Sequence, residues 1–282
     1  MHSTPTTQND TIHRETRIAS AAVMLVLLVA VVILYLFPDD TDRLFAWTIR
    51  PRMTPLLMGA NYAAGALFFA RVAIGRHWSY VRHGFLAVAT FAGLALIATL
   101  LHLDRFHAGH ISFYAWTIVY ILSPFLIVWL WRRQGAADSG AAEAGAAVVP
   151  ALVRRLTGAG SVVLLGLALV MFAVPAPFIS LWPWMLTPLT ARVIAAFFSL
   201  PGVTGLLLAR EARWSAWRWL IESAIVGLGL TAIGVARAWD DFQPLGPADW
   251  LYVVSLLGLI AGLVGFYLVM QSRRASVLAD AA

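Results

Sequence analysis

Residues 18–37 read IASAAVMLVLLVAVVILYLF, a stretch without a single charge in which Val, Leu and Ile predominate. A helix of about 20 residues rising 1.5 Å per residue is about 30 Å long, the thickness of the hydrocarbon layer of a bilayer. Seven comparable stretches follow, over 53–70, 84–101, 112–131, 160–179, 189–209, 219–236 and 250–270; Arg192 and Glu222 are the charges inside them. Backbone N–H and C=O groups find no partner in lipid, so each stretch is expected to be a helix. The fold class that follows is all-α, a polytopic membrane bundle of eight transmembrane helices. The polar residues ahead of Ile18, with no small-residue cleavage site before Pro38, mark the first helix as retained rather than as a signal peptide.

Composition agrees and narrows the function. The chain has 282 residues, 61% hydrophobic and only 12% charged, half the charged share of an ordinary soluble domain. It has no cysteine, which removes disulfides, iron–sulfur clusters, covalent haem and thiol catalysis. All 20 basic residues are arginine. Without lysine there is no P-loop for a nucleotide and no Schiff base to retinal or pyridoxal phosphate. No H-E-x-x-H or G-x-S-x-G motif occurs, no catalytic residue is assigned, and the balance is against an enzyme.

The basic excess, net charge +6, is distributed by topology. Six arginines (Arg43, Arg50, Arg52, Arg105, Arg192 and Arg237) belong to one side of the eight-span arrangement and the other 14 to the opposite side. The positive-inside rule makes the richer side cytoplasmic, with both termini there. Nucleic acid is not an expected partner; the lipid bilayer is, together with a partner membrane protein or a second copy of the chain.

An internal repeat organises the chain. Pro38, Leu44, Trp47, Pro51 and Gly65 recur as Pro175, Leu181, Trp184, Pro188 and Gly202, each 137 residues on. At an offset of 136, Trp78, Ser79, Arg82, Gly93, Leu94, Ile97, Asp104 and Phe106 recur as Trp214, Ser215, Arg218, Gly229, Leu230, Ile233, Asp240 and Phe242. Units of four spans enter the membrane in the same sense, so the reading is two parallel four-helix repeats. The domain division is 1–17 as a cytoplasmic tail, 18–133 as the first repeat, 134–158 as an Ala/Gly-rich linker, 159–274 as the second repeat and 275–282 as a C-terminal tail. Among the shared residues, Trp47 and Trp184 suit the membrane interface, and Gly65, Gly202, Gly93 and Gly229 suit close helix approach. Phe106 and Phe242 suit plugs over helix ends.

Polar residues present in one repeat only are the functional candidates. Glu222 lies about one turn into span seven, with Arg218 four residues earlier. Asn61 and Tyr62 are mid-span, and Tyr120 shares a face of span four with Trp116 and Pro124. Glu222, Asn61, Tyr62 and Tyr120 are therefore the candidate substrate-binding set. Ser123 is placed to serve a carbonyl freed by Pro124, and Pro201–Gly202 predicts a break in span six that, with the Tyr120 face, would line a cavity. At the outer end of span three, His102, Asp104, His107 and His110 form the candidate metal set, since imidazole and carboxylate suit Zn, Cu or Fe. Their spacing matches no standard signature. His83 and His102, about 28 Å apart along one helix, cannot share a haem, which leaves His102 with His110 for b-haem. No cofactor is required by the sequence; metal or b-haem stays open.

The run His102-Leu103-Asp104-Arg105-Phe106, followed by Trp116-x3-Tyr120-x3-Pro124, resembles a family of uncharacterised eight-span integral membrane proteins of actinobacterial type. The resemblance implies topology and a bacterial plasma membrane, and no activity. Three functions are expected in order: a transporter or permease for a small solute or lipid-like molecule, with its site between the repeats; a non-catalytic subunit or assembly factor of a larger complex; and a metal- or haem-binding oxidoreductase using the outer histidines. The orientation is testable because the chain has no cysteine. In intact cells a membrane-impermeant maleimide is expected to label Ala108→Cys but neither Ser3→Cys nor Ala281→Cys; the reverse pattern would invert the topology.

Overall fold

A computed structural model describes residues 10–135, 147–242 and 244–280, so part of the expected linker, residues 136–146, and the chain ends lie outside the described residues. The described chain is helical, with no strand beyond two isolated bridges. Eight helices are long and apolar enough to span a membrane. We label them α1 (Arg14–Val31, prolonged by a π-turn over Val32–Leu36), α2 (Met53–Ile74), α3 (Arg82–Leu101), α4 (Ile111–Gln134), α5 (Ala151–Ala173), α6 (Pro188–Leu208), α7 (Trp214–Arg237) and α8 (Pro247–Asp280). The protein is an integral membrane protein in contact with the lipid bilayer.

Local chemistry sets the helix ends. Pro38 stops the first span at its π-turn. Thr187 caps α6, its hydroxyl accepting from Thr190 N at 3.2 Å while Thr190 Oγ1 accepts from Thr187 N at 2.8 Å, and Pro188 fills the first turn, where its missing N–H costs nothing. Gly135 closes α4 at φ +69°, a conformation suited to glycine. Short helices over Thr41–Leu44 and Ala176–Leu181 cross the gap between α1 and α2 and between α5 and α6.

Packing runs in two files, α1–α2–α7–α8 and α5–α6–α3–α4. The inner members carry the core: half of the most apolar window of α2 and 56% of that of α6 are buried, against 17% in α1, α4 and α5 and 11% in α8. The outer helices present residues such as Leu25, Phe125, Val162 and Leu251 outward, the face lipid requires. Apolar burial does not hold helices together in lipid, so close backbone approach must. A Cβ added to Gly227 of α7 would lie 2.9 Å from Ala64 Cβ of α2, and one on Gly234 would lie 3.3 Å from Leu56. Segments ahead of the files clip onto loops at the arginine-rich end. Ile12 N donates to Arg76 O at 3.0 Å and Trp78 N to Asp10 O at 2.9 Å; likewise Val149 N donates to Ala212 O at 2.8 Å and Trp214 N to Ala147 O at 3.0 Å.

Several expectations need correction. Helix α6 runs unbroken through Pro201, because α3 and α5 brace it and α5 lies so close that a Cβ added to Gly202 would be 3.0 Å from Leu165 Cβ. Helix α5 starts at Ala151, not near residue 160, and stops at Ala173 because Pro175 opens the separate short helix. Gly65 does make a close approach, since a Cβ added there would lie 3.1 Å from Leu27 Cδ1, but Gly93 and Gly229 face open space. Trp47 and Trp184 do not face outward: they are 2% and 3% exposed, wedged against Phe106 and Phe242 at 5.1 and 5.4 Å. Phe106 and Phe242 are themselves buried, 7% and 1% exposed. Ser123 Oγ bonds Val119 O at 2.5 Å, one residue short of the carbonyl that Pro124 frees.

The glycines give opposite expected outcomes in detergent unfolding. Gly227→Leu overpacks the α2–α7 seam and lowers stability by about 1–3 kcal/mol. Gly93→Ala meets nothing and raises it by up to about 1 kcal/mol through helix propensity.

Candidate functional site

The α2–α7 seam has a charged network at each end and small residues between. At the arginine-rich end, Glu222 enters α7 one turn after Arg218, which donates from Nε at 2.9 Å. Arg71, in the last turn of α2, donates from Nη2 at 3.0 Å to the other carboxylate oxygen. Tyr267 of α8 adds its hydroxyl at 2.9 Å and itself accepts from Gln271 at 2.8 Å. Arg71 also lies 5.1 Å over the Trp219 ring, a favourable placement for a cation. The Glu222 side chain is 14% exposed, so this ion pair is shielded enough to matter yet open to water on the arginine side.

At the opposite end the seam opens into a cleft of about 380 Å³ lined by Asp39, Arg50, Arg52, Arg237, Asp240 and Asp241. Arg52 forks onto Asp39 at 3.0 and 2.7 Å. Arg237 donates to Tyr35 O at 2.6 Å and stacks on the Tyr35 ring. Asp241 accepts from Met53 N at 2.6 Å, tying the loop after α7 to the start of α2. Burial pushes the Asp241 carboxyl above its ordinary range, and neighbouring Asp39 and Asp240 add to the rise against the pull of Met53 N and Arg52. The cleft thus offers both signs of charge to a solute.

Elsewhere the candidate residues separate. Tyr62 of α2 and Tyr120 of α4 meet hydroxyl to hydroxyl at 2.7 Å, fully buried among Phe91, Phe197 and Trp116. Asn61 donates to Leu57 O on its own helix at 2.9 Å. Glu222 is about 14 Å along the bundle from this phenol pair, judged from Tyr62 and Arg71 on α2. Of the outer histidines, His107 and His110 have ring centroids 4.9 Å apart, and His107 Nε2 is 3.1 Å from Thr48 Oγ1. His102 turns away to Arg192 of α6, Nη1 to Nε2 at 2.9 Å, and Asp104 pairs with Arg105 at the surface. Among the described residues, no three His, Asp or Glu side chains converge as a metal would need.

Sequence reading did not reach Arg71, Tyr267 or Gln271, nor Glu211. Glu211, 8% exposed in the α6–α7 turn, holds Arg213 by a fork at 2.9 and 2.6 Å and lies 3.7 Å from Arg82 and 3.9 Å from His83. Burial would raise its carboxyl, but the Arg213 contacts outweigh burial and hold it below the ordinary range. A charge at a span's last turn was the available signal for Arg71; its partner lies 151 residues away.

No protein family, curated protein or solved structure matches the chain. The functional reading therefore rests on these side chains.

The His102–Arg192 contact is acid-sensitive. Burial first, then the Arg192 charge, holds His102 below its ordinary value of 6.5. The unfolded chain takes up this proton more readily than the native one, so stability is lost as pH falls below about 6.5. The drop in unfolding midpoint from pH 7.5 to 5.5 is expected to be smaller in His102→Gln than in the unmodified protein; equal drops would assign the sensitivity elsewhere.

Proposed function

We propose that the protein is a transporter or permease-like protein of the bacterial plasma membrane, for a small polar solute or a lipid-like molecule, built from two parallel four-helix repeats with both termini cytoplasmic. The single observation that carries this is the charge-lined cleft of about 380 Å³ at one end of the α2–α7 seam, opposite the Arg71–Glu222–Arg218 cluster at the other. A path so arranged has a vestibule, a closed middle of Ala60, Ala64 and Gly227, and an ionic gate. Each repeat contributes one wall, α2 or α7, so rocking of one against the other alternately loosens the two ends. Nothing among the described residues resembles an energy-coupling domain, so movement is passive or ion-linked.

Matched contacts support the duplication. Under the sequence offsets, α1–α2 corresponds to α5–α6, α3–α4 to α7–α8, and α2–α7 to α6–α3. The clips Ile12–Arg76 and Val149–Ala212 are related by the same shifts, 137 and 136. Four of the six cleft charges have no such twin: Ala176, Thr187, Leu189 and Leu101 stand where Asp39, Arg50, Arg52 and Arg237 would repeat, whereas Asp240 repeats Asp104 and Asp241 falls on Arg105.

A second reading, a membrane subunit without chemistry, draws on the tight glycine contacts along the seam, which suit a fixed clasp as well as a moving one. Reconstitution separates them. Proteoliposomes are expected to take up zwitterionic or anionic solutes above empty vesicles, with Arg237→Gln lowering the rate at least tenfold and Asn61→Ala changing it little. No flux with any class tested, together with a stoichiometric partner in mild-detergent pull-downs, would establish the subunit instead.

A further inference from the structure

We propose that Arg71 and Arg218 form a binding site for a phosphate group at the arginine-rich end of the α2–α7 seam, the phosphate being that of an anionic lipid headgroup. Two guanidinium groups converge on one carboxylate there, Arg71 Nη2 on one oxygen and Arg218 Nε on the other. The trio carries a net positive charge, and its only carboxylate is already engaged by both arginines and by Tyr267. Each guanidinium presents five N–H donors in a planar fork. One from each is directed at Glu222, Arg218 also meets the Tyr267 hydroxyl, and Arg71 Nε is buried without a partner.

Exposure shows which way the remaining donors can be reached. The Glu222 side chain is 14% exposed, whereas those of Arg71 and Arg218 are 36% and 29% exposed. The carboxylate forms the floor and the guanidinium groups the rim. Arg71 lies in the last turn of its span and Arg218 in the second turn of its own, the depth at which lipid phosphates sit. Trp219, beneath Arg71, supplies an indole of the kind that favours the same layer. Helix α8 extends the site: Tyr267, Gln271 and Arg274 recur at spacings that share one face, and Tyr267 and Gln271 are already joined to the cluster. At 34 residues α8 is about 51 Å long, well beyond the hydrocarbon, so Arg274 lies at or past the headgroups.

Phosphate fits better than a carboxylate-bearing ligand. It offers more acceptor oxygens to two forks, and paired arginines favour such bidentate recognition. Glu222 gathers the two guanidinium groups on its two carboxylate oxygens while competing with the ligand for them. Removing its charge is therefore expected to tighten phosphate binding. If Glu222 only neutralised the arginines, removing it would merely loosen the seam.

Binding requires no transport, so this site and the transport reading fail independently. The test uses the full-length protein, delipidated in detergent, titrated with short-chain phosphatidylglycerol, short-chain phosphatidylcholine and inorganic phosphate, with bound ligand counted by native mass spectrometry. One phosphatidylglycerol is expected to bind at least tenfold more tightly than phosphatidylcholine. Arg218→Gln is expected to remove that preference, Arg71→Lys to retain part of it, and Glu222→Gln to strengthen it. Inorganic phosphate binding as tightly as the lipid, and competing with it, would support the phosphate site but assign it to a free solute. Equal binding of the two lipids by the unmodified protein, a measurement that needs no variant, would overturn the proposal. So would an unaltered preference in a folded Arg218→Gln protein.

Discussion

Hydrocarbon gives apolar side chains no reason to leave it, so eight apolar helices hold together only where backbones approach closely or polar groups bond across a gap. The seam between α2 and α7 uses both devices. Gly227 and Gly234 bring the two backbones together along its length. Charge fastens its ends, through Arg71 with Glu222 at one and Asp241 with Met53 N at the other. The same rule explains the quiet exterior of α1, α4, α5 and α8, whose outward residues need only be apolar.

The polar groups sort by what they do to this frame. Some are absorbed into single helices, as Asn61 is on Leu57 O and Thr90 on Leu86 O. Others join helices in the interior: Tyr62 with Tyr120, Trp116 with Thr99, Trp184 with Thr54. Among the described residues, the ion pairs of the α2–α7 seam lie at its two ends. The proposed function draws on the two ends of the seam rather than on the buried phenol pair, which is closed in by aromatic rings.

Part of the site was legible in the chain. Glu222 stood out as an ionisable residue inside an apolar run, and its pairing with Arg218 followed from helical spacing. Arg192 stood out as a charge inside an apolar run and His102 as a member of the outer histidine set, and the two bond across helices. The prolines and glycines were less readable. Pro201 looked like a break because an isolated helix would lose a hydrogen bond there, but α6, packed between α3 and α5, continues through it as one helix. Gly93 and Gly202 look alike as letters, and only Gly202 has a neighbour at contact distance.

The sequence by itself determined that the chain is a bundle of eight membrane helices, because length, charge poverty and the need to satisfy the backbone in lipid are local properties. Tertiary structure alone decided which helices are central, which glycines touch, and that Arg71 and Tyr267 share Glu222 with Arg218. Those facts depend on side chains tens to hundreds of residues apart meeting in space. Apolar periodicity cannot encode such meetings in a solvent that is itself apolar, since every face of such a helix is equally at home there.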